Sequence, residues 1–392
     1  MSIDLFNKLK GLIDRCHRPL ITSHIRLDGD AVGSELALYH VLKGLGKEPS
    51  IVNDSPVPRI YKFLVQDHEI KIWKSTQGGS ASGGPEMFAK QIGESASLCG
   101  GQETSVESST VSSDEPLRAT STPAVNVEDL YDLVIVVDTP SVERVGGVSQ
   151  LITRPHRQVD LPVINIDHHV CNTNFGTVNW VEPRRGSTGE MIYEFLRQAN
   201  LEITPKVAEA LYVAIITDTG RFTHNNTSSE SLRAAAHLID CGVNPTRIGE
   251  RLYRANTYGQ LQLLAMATKT LSFHSNKRIA SVWLTRDMLR EAHTPSIDTH
   301  DFADIPASIE GVVVGILLRE LGEPNKVKVS LRSRDGLDVN KLAQRFGGGG
   351  HERAAGFELQ GSIQEVQERV VEEINKVMDS PKADEKEEKV PA

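Results

Sequence analysis

The chain has 392 residues, of which 39% are hydrophobic, and its formal net charge is -9. This length predicts two domains, with a third left open, and the acidic balance excludes a broad basic surface for gripping long nucleic acids. Four widely spaced cysteines form no CxxC pair, which argues against a zinc–thiolate site or a disulfide framework and favours a reducing cytoplasm.

The first part of the chain alternates between predicted strands and predicted helices. Continuous apolar strands between helices indicate a parallel sheet that is covered on both faces. Short apolar runs predict strands that begin at Pro19, Pro49, Tyr131 and Pro162, and apolar periodicity predicts helices over 30–45, 187–199 and 205–217.

Two segments have the composition of disordered chain. Residues from about 75 to 125 are dominated by Ser, Thr, Gly, Glu and Ala, and residues 379–392 are strongly charged. Such segments bury too little apolar surface to offset the entropy lost on ordering. We therefore expect a disordered insertion within the first domain and a disordered tail.

The later part of the chain predicts a helical connection followed by a second α/β unit. Helical patterns extend over 228–268, and strand-like runs follow at 278–284, 312–319 and 326–333. A helix over 339–346, a glycine run and a terminal helix over 363–378 complete the unit. The apolar run Val312 to Leu318 is too short to span a bilayer, so we expect no membrane partner.

Acidic and histidine residues follow the predicted strands of the first part. Ligands of parallel α/β sheets bind outside the carboxyl ends of the strands. Taken singly, each residue has a structural explanation, such as Asp30 as a helix N-cap and Asp28 as a turn residue. Together, at one edge of one sheet, they indicate a metal site. The residues are His24, Asp28, Asp30, Asp138, Asp167, His168, His169 and, after an apolar helix, Asp218.

The ligand types restrict the metal. Carboxylates and imidazoles without thiolates suit Mn²⁺, Mg²⁺ or Co²⁺ better than a structural zinc. The acidic residues are too many for one ion, so we expect two divalent cations. Such a pair can stabilise both oxygens of an in-line displacement at phosphorus.

Four ordered motifs resemble those of the DHH phosphoesterases: SHIRLDGDAVGS, VVDT, IDHH and AIITDTGRF. The later stretch VKVSLRSRDGLDVNKLAQRFGGGGHERAAGF resembles the DHH-associated C-terminal domain. This combination is similar to the nano-RNase/pAp phosphatase group, which trims very short oligoribonucleotides and dephosphorylates 3′-phosphoadenosine 5′-phosphate (pAp). The resemblance implies an α/β fold with a larger parallel-sheet domain over 1–227, a helical linker over 228–268 and a smaller α/β substrate-binding domain over 269–378.

The resemblance also implies a role for each motif residue. His24 and Asp28 bind one metal, Asp30 binds the other, and Asp138 bridges both. His168 and Asp218 complete the second ion, and the resemblance favours Mn²⁺ for both ions. His169 lies beside the substrate phosphate, and Asp167 orients a histidine. Leu27 stands where many relatives have proline, a difference that affects the loop and no ligand.

A second candidate site surrounds the glycine run. A run of glycines lets backbone N–H groups approach an anion closely, although a flexible turn explains it as well. Arg332 and Arg334 are two residues apart and share a face if both lie on a strand, and arginine matches phosphate oxygens in two-point contacts. The resemblance favours, as substrate contacts, Arg332, Gly348, Gly349, Gly350 and His351.

The sequence thus predicts a metal-dependent phosphoesterase that hydrolyses short oligoribonucleotides to mononucleotides, pAp to AMP, or both. These substrates are its expected partners, and a homodimer stays open. A RecJ-like single-strand exonuclease would carry more chain and a basic module, and an inorganic pyrophosphatase has a different C-terminal domain. A phosphodiesterase of cyclic or linear dinucleotides usually adds membrane and sensory segments. A non-catalytic nucleotide sensor would have broken ligands, and none is broken here.

Overall fold

The structure is a computed structural model that describes residues 1–66, 70–73, 131–153, 161–254, 256–294, 299, 302–334 and 337–379, with the backbone alone at 351 and 379. The chain divides into two compact units, Met1–Leu252 and Tyr253–Ala392. The insertion expected at about 75–125 lies outside the described residues, as does the expected tail beyond Asp379. The domain bounds given above stay a prediction.

The first unit contains a sheet that is parallel throughout. Among the described residues it has six strands in the order β3-β2-β1-β4-β5-β6, and every neighbouring pair is parallel. The strands are β1 (Pro19–Thr22), β2 (Ser50–Asn53), β3 (Ile70–Ile72), β4 (Leu133–Val137), β5 (Val163–Asp167) and β6 (Val178–Val181).

Helices accompany this sheet along the chain. Two 3₁₀ segments, Arg59–Leu64 and Val142–Val148, lie between its strands. The α-helices of the first part are α1 (Ile3–Arg15), α2 (Gly29–Gly44), α3 (Ser149–Ile152), α4 (Thr188–Gln198), α5 (Pro205–Asp218), α6 (Ser229–Asp240) and α7 (Pro245–Tyr253).

The strand register brings the polar strand ends to one edge of the sheet. Every residue of β4 and β5 is buried, as expected for central strands of a sheet covered on both faces. Thr22 of β1 pairs with Val136, and Val137 pairs with Ile166. The residues that directly follow these strands, including Asp138, therefore meet at the carboxyl edge.

Close packing of α2 against α5 brings two further acidic residues to this edge. A Cβ on Gly29 would overlap the Thr217 side chain, and a Cβ on Gly33 would overlap the carbonyl oxygen of Ala210. Because both positions are glycine, the helices can approach closely. The start of α2, which carries Asp30, therefore lies beside the end of α5, which carries Asp218.

The second unit has a mixed sheet with strand order β11-β12-β10-β9-β8-β7 among the described residues. The β8–β9 pair is parallel and the other pairs are antiparallel. The strands are β7 (Ser272–His274), β8 (Ile279–Leu284), β9 (Val314–Glu320), β10 (Lys326–Ser333), β11 (Gly349–His351) and β12 (Ala354–Gln360). The helices are α8 (Tyr258–Lys269), α9 (Arg286–Glu291), α10 (Asp304–Ala307), α11 (Val339–Arg345) and α12 (Ile363–Asp379).

Both units combine helices with a sheet, so the predicted α/β class is confirmed. Strand β10 alternates strictly between buried and half-buried residues, and its inner residues Val327, Val329 and Leu331 join the core formed with α12. No helix in the described part of the chain is both long and apolar enough to cross a bilayer.

The α2–α5 packing yields a stability test. Gly33→Ala is expected to lower the free energy of unfolding by about 1–3 kcal/mol, because the added methyl group must displace helix backbone. Gly44→Ala, at the end of the same helix, is the matched control, since its Cβ would meet nothing within 4 Å. That control should be neutral or slightly stabilising. Urea unfolding measures both, and equal stabilities would contradict the packing described.

Candidate active site

The loop after β1 places two acidic residues at the carboxyl edge of the first sheet in different ways. An oxygen of Asp28 accepts a hydrogen bond from the N–H of Ala31 (3.0 Å) and caps α2. Asp30 lies within the first turn of the helix and is buried. The alternative in which Asp30 is the cap and Asp28 only a turn residue is therefore wrong.

A first group of donor atoms consists of His24, Asp28 and Asp138. The Nε2 atom of His24 lies 3.7 Å from Asp28 Oδ2 and 3.4 Å from Asp138 Oδ2. Its Nδ1 atom lies 2.9 Å from the carbonyl oxygen of Ile25. Since a carbonyl only accepts, Nδ1 donates the proton. Burial lowers the pKa of His24, so the neutral ring directs the Nε2 lone pair toward the two carboxylates.

A second group consists of Asp30, His168 and Asp218. The Nε2 atom of His168 lies 3.8 Å from Asp30 Oδ2 and 3.5 Å from Asp218 Oδ2. Its Nδ1 atom lies 3.1 Å from the carbonyl oxygen of Arg185, which again leaves the proton on Nδ1. Burial acts to lower the pKa of His168, but Asp218 and Asp30 outweigh it and raise the pKa overall.

Asp138 belongs to the first group, lies next to the second, and forms a third group of donor atoms with His168 and His169. Its Oδ1 atom lies 3.6 Å from His168 Nε2 and 3.7 Å from His169 Nδ1, while its Oδ2 atom faces His24. The residue has a φ of 52°, a left-handed conformation that is uncommon outside glycine and typical of strained functional positions. The structure thus brings the six predicted ligands together, and their roles as ligands stay a prediction.

The cluster concentrates like charges in a poorly solvated place. Burial and the nearby Asp218 carboxylate raise the pKa of Asp30 to about 7. Burial, together with Asp30 and the other carboxylates, raises the pKa of Asp138 well above its usual range. Both shifts have the same physical meaning: the ionised carboxylates need a positive charge among them.

The donor set fits divalent cations. The nitrogen–oxygen distances of 3.4–3.8 Å are longer than hydrogen bonds. They resemble the roughly 3.0–3.6 Å between two donor atoms that each lie roughly 2.1 Å from one ion. Each histidine is also held through Nδ1 by a backbone carbonyl, which is the usual support of a metal-binding imidazole.

His169 is held by a chain of polar side chains. Its Nδ1 atom lies 2.7 Å from Asp167 Oδ1, and Asp167 Oδ2 accepts a hydrogen bond from Asn172 Nδ2 (2.6 Å). The same amide of Asn172 donates to Asn165 Oδ1 (2.8 Å). Burial acts to raise the pKa of Asp167, but the hydrogen bonds from His169 and Asn172 outweigh it and lower the pKa. Asp167 is therefore ionised and keeps a proton on His169 Nδ1.

The sequence analysis missed several residues that hold the candidate ligands. Thr188 and Gly189 donate to Asp30 through their N–H groups (2.6 and 2.8 Å), and Asn226 Nδ2 donates to Asp218 Oδ2 (3.2 Å). The sequence predicts a helix over 187–199 and assigns its start no role in the site. The position of this polar turn, directly after the edge strand β6, is the signal that could have revealed such a role.

The second candidate site is a cavity of about 240 Å³ within the second unit. Arg332 and Gly349 line it, whereas Gly348 and Gly350 are not among the lining residues. Close packing requires glycine at both positions, since a Cβ on Gly348 would overlap the carbonyl of Gly356 and one on Gly350 that of Ala354, and their contact with substrate stays a prediction. The backbone of residue 351 belongs to β11.

Two basic residues of this cavity were not identified from the sequence. Arg319 and Lys328 line it and are direct partners in the register of β9 and β10. Lys328 and Arg332 are four residues apart on β10 and share a face. Arg334 follows the end of β10 and is exposed. The cavity therefore presents three cationic side chains.

Comparison with protein families identifies both units. Residues 18–215 match the DHH family, N-terminal domain, and residues 287–380 match the DHHA1 domain. The predicted pairing of a DHH domain with a DHH-associated C-terminal domain is thus confirmed.

Individual relatives agree with this result. The bifunctional oligoribonuclease and PAP phosphatase NrnA of Thermus thermophilus is 31% identical over 356 residues, which cover 90% of this chain and 88% of that protein. The Bacillus subtilis protein of the same name is 28% identical over 230 residues, covering 58% of this chain and 70% of that one. An exopolyphosphatase-related protein from Bacteroides fragilis superposes with a TM-score of 0.75 at 22% identity, covering 96% of this chain and 98% of that one, which supports the fold.

The like-charge cluster predicts an unusual stability response. Asp138→Asn puts a neutral amide in place of a buried carboxyl group, which without metal must either take up a proton or repel its neighbours, and asparagine tolerates the left-handed backbone. We expect the metal-free variant to melt about 2–4 °C above metal-free wild type, because one repelling carboxylate is gone. Added Mn²⁺ should raise its Tm less than that of wild type, since a donor is lost.

Thermal melts in EDTA and in Mn²⁺ measure both effects. Asp240→Asn, an exposed carboxylate at the end of α6, is the matched control and should behave as wild type in both conditions. A metal-free Asp138→Asn protein that melts below wild type, with an undiminished response to Mn²⁺, would refute the like-charge account.

Proposed function

Since the chain belongs to the DHH family, we propose that it is a metal-dependent phosphoesterase that hydrolyses short oligoribonucleotides to mononucleotides, pAp to AMP, or both. The observation that carries this proposal is the set of overlapping donor groups around Asp138 at the carboxyl edge of the first sheet. The names of the Thermus and Bacillus relatives, which describe an oligoribonuclease and PAP phosphatase, support the choice of substrate.

We assign the donor groups to two divalent cations, with Mn²⁺ as the preferred ion. His24 and Asp28 would hold one, Asp30, His168 and Asp218 would hold the other, and Asp138 would contribute to both. When bound, such cations supply positive charge for the scissile phosphate and for the charge that develops during its displacement. The carboxylates in turn hold the cations at fixed positions.

His169 is suited to act on the substrate phosphate. Because the ionised Asp167 accepts the hydrogen bond from Nδ1, the imidazole keeps one orientation, with its Nε2 atom on the opposite side of the ring from Asp167. With a proton on Nε2, the ring can donate a hydrogen bond to a phosphate oxygen as negative charge develops there.

The cavity of the second unit is suited to an anionic part of the substrate. Arg319, Lys328 and Arg332 line a volume of about 240 Å³, and guanidinium groups bind phosphate in two-point contacts. The Nε atom of Arg332 donates to Asp304 Oδ1 (2.8 Å), which holds the guanidinium in place. We therefore assign substrate binding to this cavity, with Arg332 and Gly349 as contacts from the predicted set. Gly348, Gly350 and His351 stay proposed contacts.

Hydrolysis assays test the proposed function. Purified protein with Mn²⁺ is given a 5′-phosphorylated RNA dinucleotide, pAp or a long single-stranded DNA, and Asp138→Asn serves as the inactive control. We expect turnover of the dinucleotide, of pAp or of both, and none by the variant. Turnover confined to long DNA would instead indicate a RecJ-like exonuclease, and nucleotide binding without turnover would indicate a sensor.

The basic cavity is tested by a pair of arginine variants. Arg332→Ala removes a cation from the cavity and should raise KM for the dinucleotide about tenfold or more, the value expected for a lost charged hydrogen bond, with a smaller effect on kcat. Arg334→Ala removes an arginine outside the cavity and should leave KM near the wild-type value. Steady-state kinetics decides, and an unchanged KM for Arg332→Ala would remove this residue from the substrate site.

A further inference from the structure

One short segment contacts three of the six candidate ligands directly and a fourth through Asn226. This positioning turn, Arg185–Gly189, leads from β6 into the first turn of α4. Its Arg185 carbonyl faces His168 Nδ1 (3.1 Å), and its Gly186 carbonyl accepts from Asn226 Nδ2 (2.9 Å). The same amide of Asn226 also donates to Asp218. The turn thus controls the orientation of two ligands through its carbonyl groups.

Thr188 of the positioning turn contacts two further ligands directly. Its N–H donates to Asp30 Oδ2 (2.6 Å), and its hydroxyl donates to Asp138 Oδ1 (3.3 Å). The side chain is 0% exposed, so water cannot replace its hydrogen bonds. The N–H of Gly189 completes the contact by donating to the other oxygen of Asp30 (2.8 Å).

The close approach of α4 depends on a glycine. A Cβ on Gly189 would overlap the Cβ of Ala214 on α5. Because glycine is present, the start of α4 can lie against α5 and direct its N–H groups at Asp30. These N–H groups have no acceptor within the helix, so they are free to hold the carboxylate.

An ion-pair network holds the positioning turn. The Arg185 guanidinium is paired with Glu182, Glu190 and Glu194. Glu190 also accepts hydrogen bonds from the N–H of Gly186 (3.2 Å) and the hydroxyl of Ser231. The turn is therefore fixed by contacts that do not involve the candidate ligands, as expected of a preorganised support.

We propose that Thr188 is a positioning residue of the metal centre, whose hydroxyl orients the Asp138 carboxylate while its N–H orients that of Asp30. This inference rests on the proposed metal-dependent function. A hydroxyl donor occupies one lone pair of Asp138 and directs the remaining lone pairs toward the two donor groups. Without it, the carboxylate can rotate between orientations, and only some of them suit both cations.

Two substitutions separate the hydroxyl from the shape of the side chain. Thr188→Val keeps the branched shape and the N–H but removes the hydroxyl, whereas Thr188→Ser keeps the hydroxyl and removes one methyl group. Calorimetric titration of the metal-free full chain with Mn²⁺ gives the affinity without any substrate. We expect Thr188→Val to bind Mn²⁺ about tenfold or more weakly than wild type, as for other lost supporting contacts. Thr188→Ser should keep most of the wild-type affinity.

Further measurements exclude a simple folding defect. Metal-free Thr188→Val should unfold in one cooperative transition a few degrees below wild type, because Asp138 loses a buried hydrogen bond. At saturating Mn²⁺ its kcat should fall while KM for the dinucleotide stays the same. If the Thr188→Val protein fails to fold, Thr188→Ala takes its place, because alanine also lacks the hydroxyl and is smaller.

The outcomes distinguish this inference from the function on which it rests. Wild-type protein that binds no Mn²⁺ would overturn both. If wild type binds Mn²⁺ and Thr188→Val or Thr188→Ala binds it equally well, only the role of Thr188 is overturned. If Thr188→Ser binds Mn²⁺ as weakly as Thr188→Val, the role of the hydroxyl is also overturned, since the methyl group would then matter.

Discussion

The repulsion among buried carboxylates at the carboxyl edge of the first sheet is the constraint that determines how the rest of the site is built. Asp30 and Asp138 are nearly inaccessible to water, and Asp218 is adjacent. A folded protein can keep such groups ionised only if positive charge lies among them. Divalent cations satisfy this requirement and also supply the chemistry of phosphoester cleavage. The same feature thus explains both a cost in stability without metal and an activity with it.

The fold creates this constraint and then supports it. Parallel strands end at a common edge, and glycines in α2 and α4 allow these helices to lie against α5. Backbone carbonyls hold His24 and His168 through Nδ1, while N–H groups at the start of α4 hold Asp30. The second unit has the opposite character, because three cationic side chains line its cavity. One unit is suited to cations and the other to anions.

Much of this could be predicted from the sequence, for identifiable reasons. The apolar runs before Asp138 and Asp167 predicted strands whose ends would meet, because parallel strands share one carboxyl edge. The motif resemblance then identified the family. Supporting residues were less visible, because a threonine at a helix start, such as Thr188, is usually only a cap. Its contact with Asp138 depends on how closely α4 approaches α5, which spacing along the chain does not reveal.

The basic cavity shows a second limit of prediction. Arg332 was found through its motif, whereas Arg319 and Lys328 were not. The alternation of β10 places Lys328 on the same face as Arg332, and this much could have been read from the sequence. The pairing of Lys328 with Arg319 depends on the register between β9 and β10, which the sequence of each strand alone leaves open.

The most direct test of the central claim is X-ray diffraction from crystals of the protein grown with Mn²⁺, collected at the manganese absorption edge. The account predicts two anomalous peaks at the carboxyl edge of the first sheet, both adjacent to the Asp138 carboxylate. One should also contact His24 and Asp28, and the other Asp30, His168 and Asp218. Absence of any peak at this edge, in crystals where Mn²⁺ is bound elsewhere, would contradict the claim that cations hold these carboxylates together.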